Sequence, residues 1–141
     1  MAMNFLARRE YSRAELEERL GRKGVEADGV ATCLDRLAEQ GLQSDARFAA
    51  SFVRTRVLRG QGARRIQSEL FQRGVEPGVQ RQVLADVVAE ENVDWFELAR
   101  ETLARRFDTP GDTPRERARR ERFLASRGFE FEQIRHALAS L

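Results

Sequence analysis

A seven-residue phrase occurs three times in this chain: Leu20-Gly21-Arg22-Lys23-Gly24-Val25-Glu26, Leu70-Phe71-Gln72-Arg73-Gly74-Val75-Glu76 and Leu124-Ala125-Ser126-Arg127-Gly128-Phe129-Glu130. Each copy reads Leu, two variable residues, a base, Gly, an apolar residue, Glu, and the glycines lie 50 and then 54 residues apart. A glycine just past a helical stretch takes the left-handed conformation that ends the helix. Units that recur at such a period cannot bury their apolar faces alone and do so by stacking on their neighbours. The three glycines therefore mark the same helix-turn-helix corner in three similar units, and their charged residues are read as solvated.

The rest of the pattern is helical. Apolar residues follow helix spacing almost throughout, and no stretch alternates as a half-buried strand would. Ser12-Arg13-Ala14-Glu15 is a capping box, and Thr113-Pro114-Arg115-Glu116 is a second with proline at the first helical position. Positions six, ten and thirteen after each corner glycine are Val30, Leu34 and Leu37 in the first unit, and Ile134, Leu138 and Leu141 in the last. In the middle unit they are Gln80, Leu84 and Val87, with Val83 alongside. Each set forms one stripe on a helix. A further helix precedes each corner pair, over about Met3 to Arg9, Asp45 to Arg59 and Asp94 to Phe107, and another runs from Ala63 to Arg73. The expected architecture is all-α: three tandem three-helix repeats, residues 1–42, 43–92 and 93–141, in an elongated, curved array. Gly24, Gly60, Gly62, Gly74 and Gly128 are the expected structural turns.

Little in the chain suggests catalysis. The single histidine, His136, has no partners at ligand spacing and is expected to be partly exposed. Cys33, the one cysteine, allows no internal disulfide and is expected to be a buried structural thiol. Trp95, Phe96, Phe48 and Phe52 are expected in the core. Gly60-Gln61-Gly62 lacks the flanking signals of a phosphate loop. No run of about 18 apolar residues exists to span a membrane, and no signal-peptide pattern is seen. These features argue against an enzyme, call for no metal or cofactor, and place the chain in the cytoplasm.

One local charge feature stands out against a net charge of only +2. Between Arg54 and Ser68 lie five arginines, Arg54, Arg56, Arg59, Arg64 and Arg65, and no acid. Like charges held together repel, so the cluster suggests an acidic partner. A second basic stretch, Arg115 to Arg122, contains Glu116 and Glu121, which are expected to pair with it within the helix.

The run Phe48-Ala49-Ala50-Ser51-Phe52-Val53-Arg54-Thr55-Arg56, Gly60-Gln61-Gly62-Ala63-Arg64-Arg65-Ile66 and Glu69-Leu70-Phe71-Gln72-Arg73-Gly74-Val75 closely resembles the central segment of the RecX family. Leu6 to Leu16 resembles that family's first repeat, and Arg127-Gly128-Phe129 its last. The chain departs from the family pattern at Gln61, where an aromatic is common, and at Ala63, where proline is common. The resemblance implies a regulator of the RecA recombinase, all-helical and built of three three-helix repeats. It implies binding in the groove of the RecA–single-stranded-DNA filament. Inhibition of ATP hydrolysis, strand exchange and coprotease activity would follow, by capping or destabilising the filament. It also implies a protein that is not an enzyme and needs no cofactor. The five arginines are the expected contacts to filament or DNA, with Phe52, Ile66 and Leu70 as core behind them. The chain is expected to be a monomer, with weak nonspecific single-stranded-DNA contact as an additional expectation. Two other readings stay open on the residues alone: a helix-turn-helix-like nucleic-acid-binding protein, and a helical scaffold for another acidic partner.

Overall fold

The computed structural model describes residues 1–140, and these contain helices and turns with no strand. The helices are α1 (Ala2–Leu6), α2 (Arg13–Arg22), α3 (Ala27–Glu39), α4 (Asp45–Leu58), α5 (Ala63–Gln72), α6 (Pro77–Glu90), α7 (Trp95–Arg106), α8 (Pro114–Ser126) and α9 (Phe131–Ala139). The chain is built as tandem three-helix repeats. It divides into two compact units, one of residues 1–52 and 69–84, the other of residues 53–68 and 85–141.

The repeated phrase is a compact piece of backbone chemistry. In each copy the apolar residue after the glycine donates its N–H to the carbonyl of the phrase's leucine: Val25 to Leu20 at 3.2 Å, Val75 to Leu70 at 3.1 Å, Phe129 to Leu124 at 3.2 Å. Each glycine also donates to the residue three before it, at 3.0 Å in all three copies. These two bonds form a Schellman stop, which needs a left-handed residue at the glycine and sets the leucine against the apolar residue beyond it. Gly24, Gly74 and Gly128 have φ of 83°, 81° and 94°. The closing glutamate starts the next helix, because the carbonyls of Glu26, Glu76 and Glu130 accept from Val30, Gln80 and Ile134, each at 2.9 Å. Seven residues thus end one helix, turn the chain and begin the next. The glutamate is placed at the helix N-terminus, where the helix dipole favours a negative charge, rather than being merely solvated.

The stripes place the core. In the first unit Leu16, Leu20, Val30, Leu34 and Leu37 pack with Ala2 and Tyr11. In the second, Leu103, Leu124, Phe129, Ile134 and Ala137 pack with Ala99 and Phe107. Gln80, the polar member of the middle stripe, is 6% exposed, and its side-chain amide donates to the Val75 carbonyl at 2.8 Å. A buried amide is tolerated there because it meets a corner carbonyl that would otherwise lack a donor. Val83 and Val87 are buried, and Leu84 is half-buried. Leu141 lies outside the described residues. Phe48, Phe52, Ile66 and Leu70 are buried.

Several expectations change. Cys33 is exposed: Val30, Leu34 and Leu37 already fill the buried face of α3, and Cys33 falls to its edge. Phe96, in the first turn of α7, is also exposed, with its ring meeting the His136 ring edge-on at 5.6 Å between centroids. Trp95 is half-buried. The second capping box is only half a box. Thr113 accepts from the Glu116 N–H at 3.1 Å, but the Glu116 carboxylate accepts from the Asp112 N–H instead. The box at Ser12 is complete, at 3.1 and 3.0 Å, and at α9 the Glu130 N–H donates to the Gln133 side chain at 2.9 Å, a cap bond that the Ser/Thr signature does not reveal.

Consecutive repeats meet in one register. The offsets of the phrase map Ser12 onto Gly62 and Arg73 onto Arg127. Within the first unit the Ser12 hydroxyl donates to the Arg73 carbonyl at 2.7 Å, and Arg73 pairs with Glu15 at 2.9 Å. Within the second unit the Gly62 N–H donates to the Arg127 carbonyl at 2.7 Å, and the Arg64 N–H to the Gly128 carbonyl at 3.1 Å. At both junctions the start of one repeat's middle helix seats on the next repeat's corner. A Cβ on Gly74 would lie 2.3 Å from that of Ala14, one on Gly128 would lie 2.5 Å from the Arg65 nitrogen, and one on Gly62 would lie 2.5 Å from the Gly128 oxygen.

The same substitution should therefore cost different amounts at equivalent corners. At Gly24 no atom lies near the added methyl, so Gly24→Ala should lose only the left-handed backbone term, about 1–2 kcal/mol. Gly128→Ala adds overpacking against the Arg65 backbone, about 1–3 kcal/mol more. Urea unfolding of the two variants checks this, and equal losses would mean that the corners do not carry the junctions.

Candidate partner-binding surface

All five arginines of the acid-free run lie in the second unit. Helix α4 carries Arg54 and Arg56. Arg59 follows its end, and Arg64 and Arg65 sit in the first turn of α5. The turn between the helices is fixed from both sides. The Gly60 N–H donates to Val57 and the Gln61 N–H to Arg56, at 2.9 and 3.1 Å. Gly60 has φ 77°, and a Cβ there would meet the Thr102 hydroxyl at 2.7 Å. Gly62 has no such backbone requirement; its need for a missing side chain comes from the backbone at Gly128 and Phe129.

Folding separates these arginines. Arg54 faces Glu91 at 3.7 Å and Glu90 at 4.0 Å, so the run is acid-free in sequence but not in space. Arg65 is half-buried and donates to the Ser126 carbonyl at 3.3 Å, as a fastener of the repeat junction. Arg56 is half-buried. Arg59 and Arg64 are exposed and form no ion pair with any described residue. They are the members of the run left facing solvent with their full charge.

In the second basic stretch the outcome differs again. Arg120 is only 6% exposed. Its guanidinium lies 4.4 Å from the Phe107 ring centroid and donates to the carbonyls of Thr109 at 2.9 Å and Glu116 at 3.2 Å. It ties the 107–112 turn to α8. The expected pairing through Glu116 and Glu121 is not what forms, since Glu116 is occupied at the Asp112 N–H and Glu121 is exposed. Sequence reasoning missed Arg120 because nothing local separates it from Arg119 and Arg122; the nearby Phe107 was the only hint. In the first repeat, Arg9 lies over the Tyr11 ring at 3.6 Å, and Arg19 lies 5.4 Å from the centroid of Phe5.

On α7, Glu97 is paired with Arg100, and that hydrogen bond holds its carboxyl below the ordinary range. Arg13 is raised above its usual value, first by its hydrogen bond to Asp35. Among the described residues no group of histidine, cysteine and carboxylate side chains could hold a metal ion, and no helix is long and apolar enough to cross a membrane.

The family models for the first, second and third three-helix domains of RecX match residues 1–37, 44–84 and 92–138. The chain belongs to the RecX family. It is 59% identical over 138 residues to the regulatory protein RecX of Chromohalobacter salexigens, covering 98% of this chain and 88% of that one. To the regulatory protein RecX of Halorhodospira halophila it is 47% identical over 141 residues, covering 99% of this chain and 84% of that one. The crystal structure of RecX from Lactobacillus salivarius shares the fold with a TM-score of 0.79 at 23% identity, covering 99% of this chain and 91% of that chain.

The two kinds of arginine on α8 can be told apart by stability. Arg120→Ala should cost about 2–4 kcal/mol, because it opens space beside Phe107 and strips the Thr109 carbonyl of its donor, while the Glu116 carbonyl keeps its helix partner. Arg122→Ala, at an exposed position, should stay within about 0.5 kcal/mol of the parent. Thermal unfolding of the pair measures the difference, and equal midpoints would remove the structural role assigned to Arg120.

Proposed function

We propose that this chain is a negative modulator of the RecA recombinase. It binds in the groove of the RecA–single-stranded-DNA filament and inhibits ATP hydrolysis, strand exchange and coprotease activity by capping or destabilising the filament. It does so in the cytoplasm as a monomer, without catalytic chemistry or a cofactor of its own. The observation that carries this reading is the succession of three RecX domain matches in order along the chain, together with relatives named as regulatory proteins. The proposed repeats are residues 1–42, 43–92 and 93–141, each of three helices.

The proposed contacts narrow to Arg59 and Arg64, whose charges are unspent in the free protein and suit acidic protein surface or phosphate. Arg54, Arg56 and Arg65 support that surface from positions already engaged or half-buried. The helix-turn-helix reading is weakened by the start of α5. A helix that reads a groove presents its N-terminal residues to the bases, but the Gly62 and Arg64 N–H groups are taken up by the corner at Arg127 and Gly128.

The test is RecA ATP hydrolysis on single-stranded DNA, titrated with this protein. Inhibition is expected at less than one molecule per recombinase protomer, and its absence at excess would overturn the reading. Arg59→Glu combined with Arg64→Glu should raise the half-inhibiting concentration about tenfold or more, with the helical circular dichroism unchanged. Because exposed charges are screened by salt, the gap between parent and variant should narrow as ionic strength rises.

A further inference from the structure

The second unit also carries a surface of the opposite sign. A solvent-open cleft of about 380 Å³ lies where the last turns of α4 and α6 meet the first turns of α7. Its apolar lining is Val57, Leu58, Val87, Val93 and Leu98. Leu58 is 80% exposed although it belongs to a helix whose other large apolar residues are covered. Four carboxylates, Glu91, Asp94, Glu97 and Glu101, line the same cleft against a single guanidinium, Arg54.

Each component has a local use: Asp94 caps α7, Glu97 pairs with Arg100, and Glu91 faces Arg54. Their gathering around exposed aliphatic surface has none. Arg54 and Arg100 offset two of the four charges, which leaves the rim acidic on balance, and a phosphate or carboxylate ligand would be repelled. These carboxylates do not form a metal-binding group. An aliphatic side chain would cover Leu58 and the valines while flanking cations neutralised the rim, which is the arrangement of interfaces with an apolar centre and a charged edge.

We propose that this acid-rimmed cleft docks a helical segment of a partner protein that carries leucine-like anchors flanked by arginine or lysine. Helix-in-groove docking uses anchors one turn apart, and the cleft opens between two helices that can receive them. The surface is separate in charge from the one at Arg59 and Arg64, and the inference does not depend on the identity of the partner proposed there.

The test is a methyl-resolved NMR titration of the full chain with an alanine-based helical peptide bearing leucines one turn apart and arginines between them. Methyl resonances of Val57, Leu58, Val87, Val93 and Leu98 should shift together and saturably. Affinity should fall about tenfold in the Leu58→Asp variant and in the Glu91→Lys, Glu101→Lys variant. A peptide with glutamate in place of arginine, or alanine in place of leucine, should leave these resonances in place. Shifts scattered over the chain, equal shifts with the glutamate peptide, or no shift at all would each overturn the proposal. Leu58 and Glu91 are exposed and Glu101 is half-buried, and a parent-like spectrum away from the cleft establishes that the variants keep the fold.

Discussion

The close approach of one repeat's helix start to the next repeat's corner is the contact on which this architecture rests. At Gly128 the backbone of α5 comes so near that a methyl group would meet the Arg65 nitrogen, and at Gly74 the Ala14 side chain fills the same place. Such proximity lets main-chain donors reach corner carbonyls directly. It satisfies groups that a Schellman stop leaves at the surface. The corner glycine thus serves twice, first for a left-handed backbone and then for the absence of a Cβ. Only the second role joins repeats, and at Gly24, where nothing approaches, only the first remains.

The two junctions solve the same problem with different chemistry. At the first, Ser12 caps its own helix and donates to the Arg73 carbonyl with one hydroxyl, while Glu15 takes the Arg73 guanidinium. At the second, Gly62 has no side chain and its own N–H makes the equivalent bond. The position of Glu15 is there occupied by Arg65, which turns to the Ser126 carbonyl. A cap hydroxyl and a bare N–H both deliver a proton to the same carbonyl, so the geometry persists while the charge reverses.

Charge on this protein is consequently sorted by the fold rather than by sequence blocks. Of the five arginines in the central run, Arg54 is drawn to the end of α6 by Glu90 and Glu91, and Arg65 fastens a corner. Arg59 and Arg64 keep exposed charge. Arg54 also lines a cleft with aliphatic side chains and four carboxylates. The second unit thus presents cationic groups from the α4–α5 segment and anionic groups from the α6–α7 segment. Family membership accounts for the shared scaffold.

Much of the backbone plan was legible in the residues themselves. The helix stops, the Ser12 capping box and the stripes at Val30, Leu34 and Leu37 are local features, set by hydrogen bonds and side chains within a few positions of one another. The glutamate that immediately precedes each following helix is local as well, though its role is visible only once the carbonyl partners are known. What the tertiary structure decided was the fate of side chains whose environment comes from far along the chain. Arg120 is buried because Phe107 and the Thr109 carbonyl meet it there, while its neighbours in sequence stay in water. Cys33 and Phe96 are exposed because a helix buries only as much surface as its neighbours cover. Gly62 is needed for a backbone that lies 66 residues away, at Gly128. Periodicity reports which face of a helix is apolar; it carries no information about which distant atoms will arrive to cover it or to take up its charge.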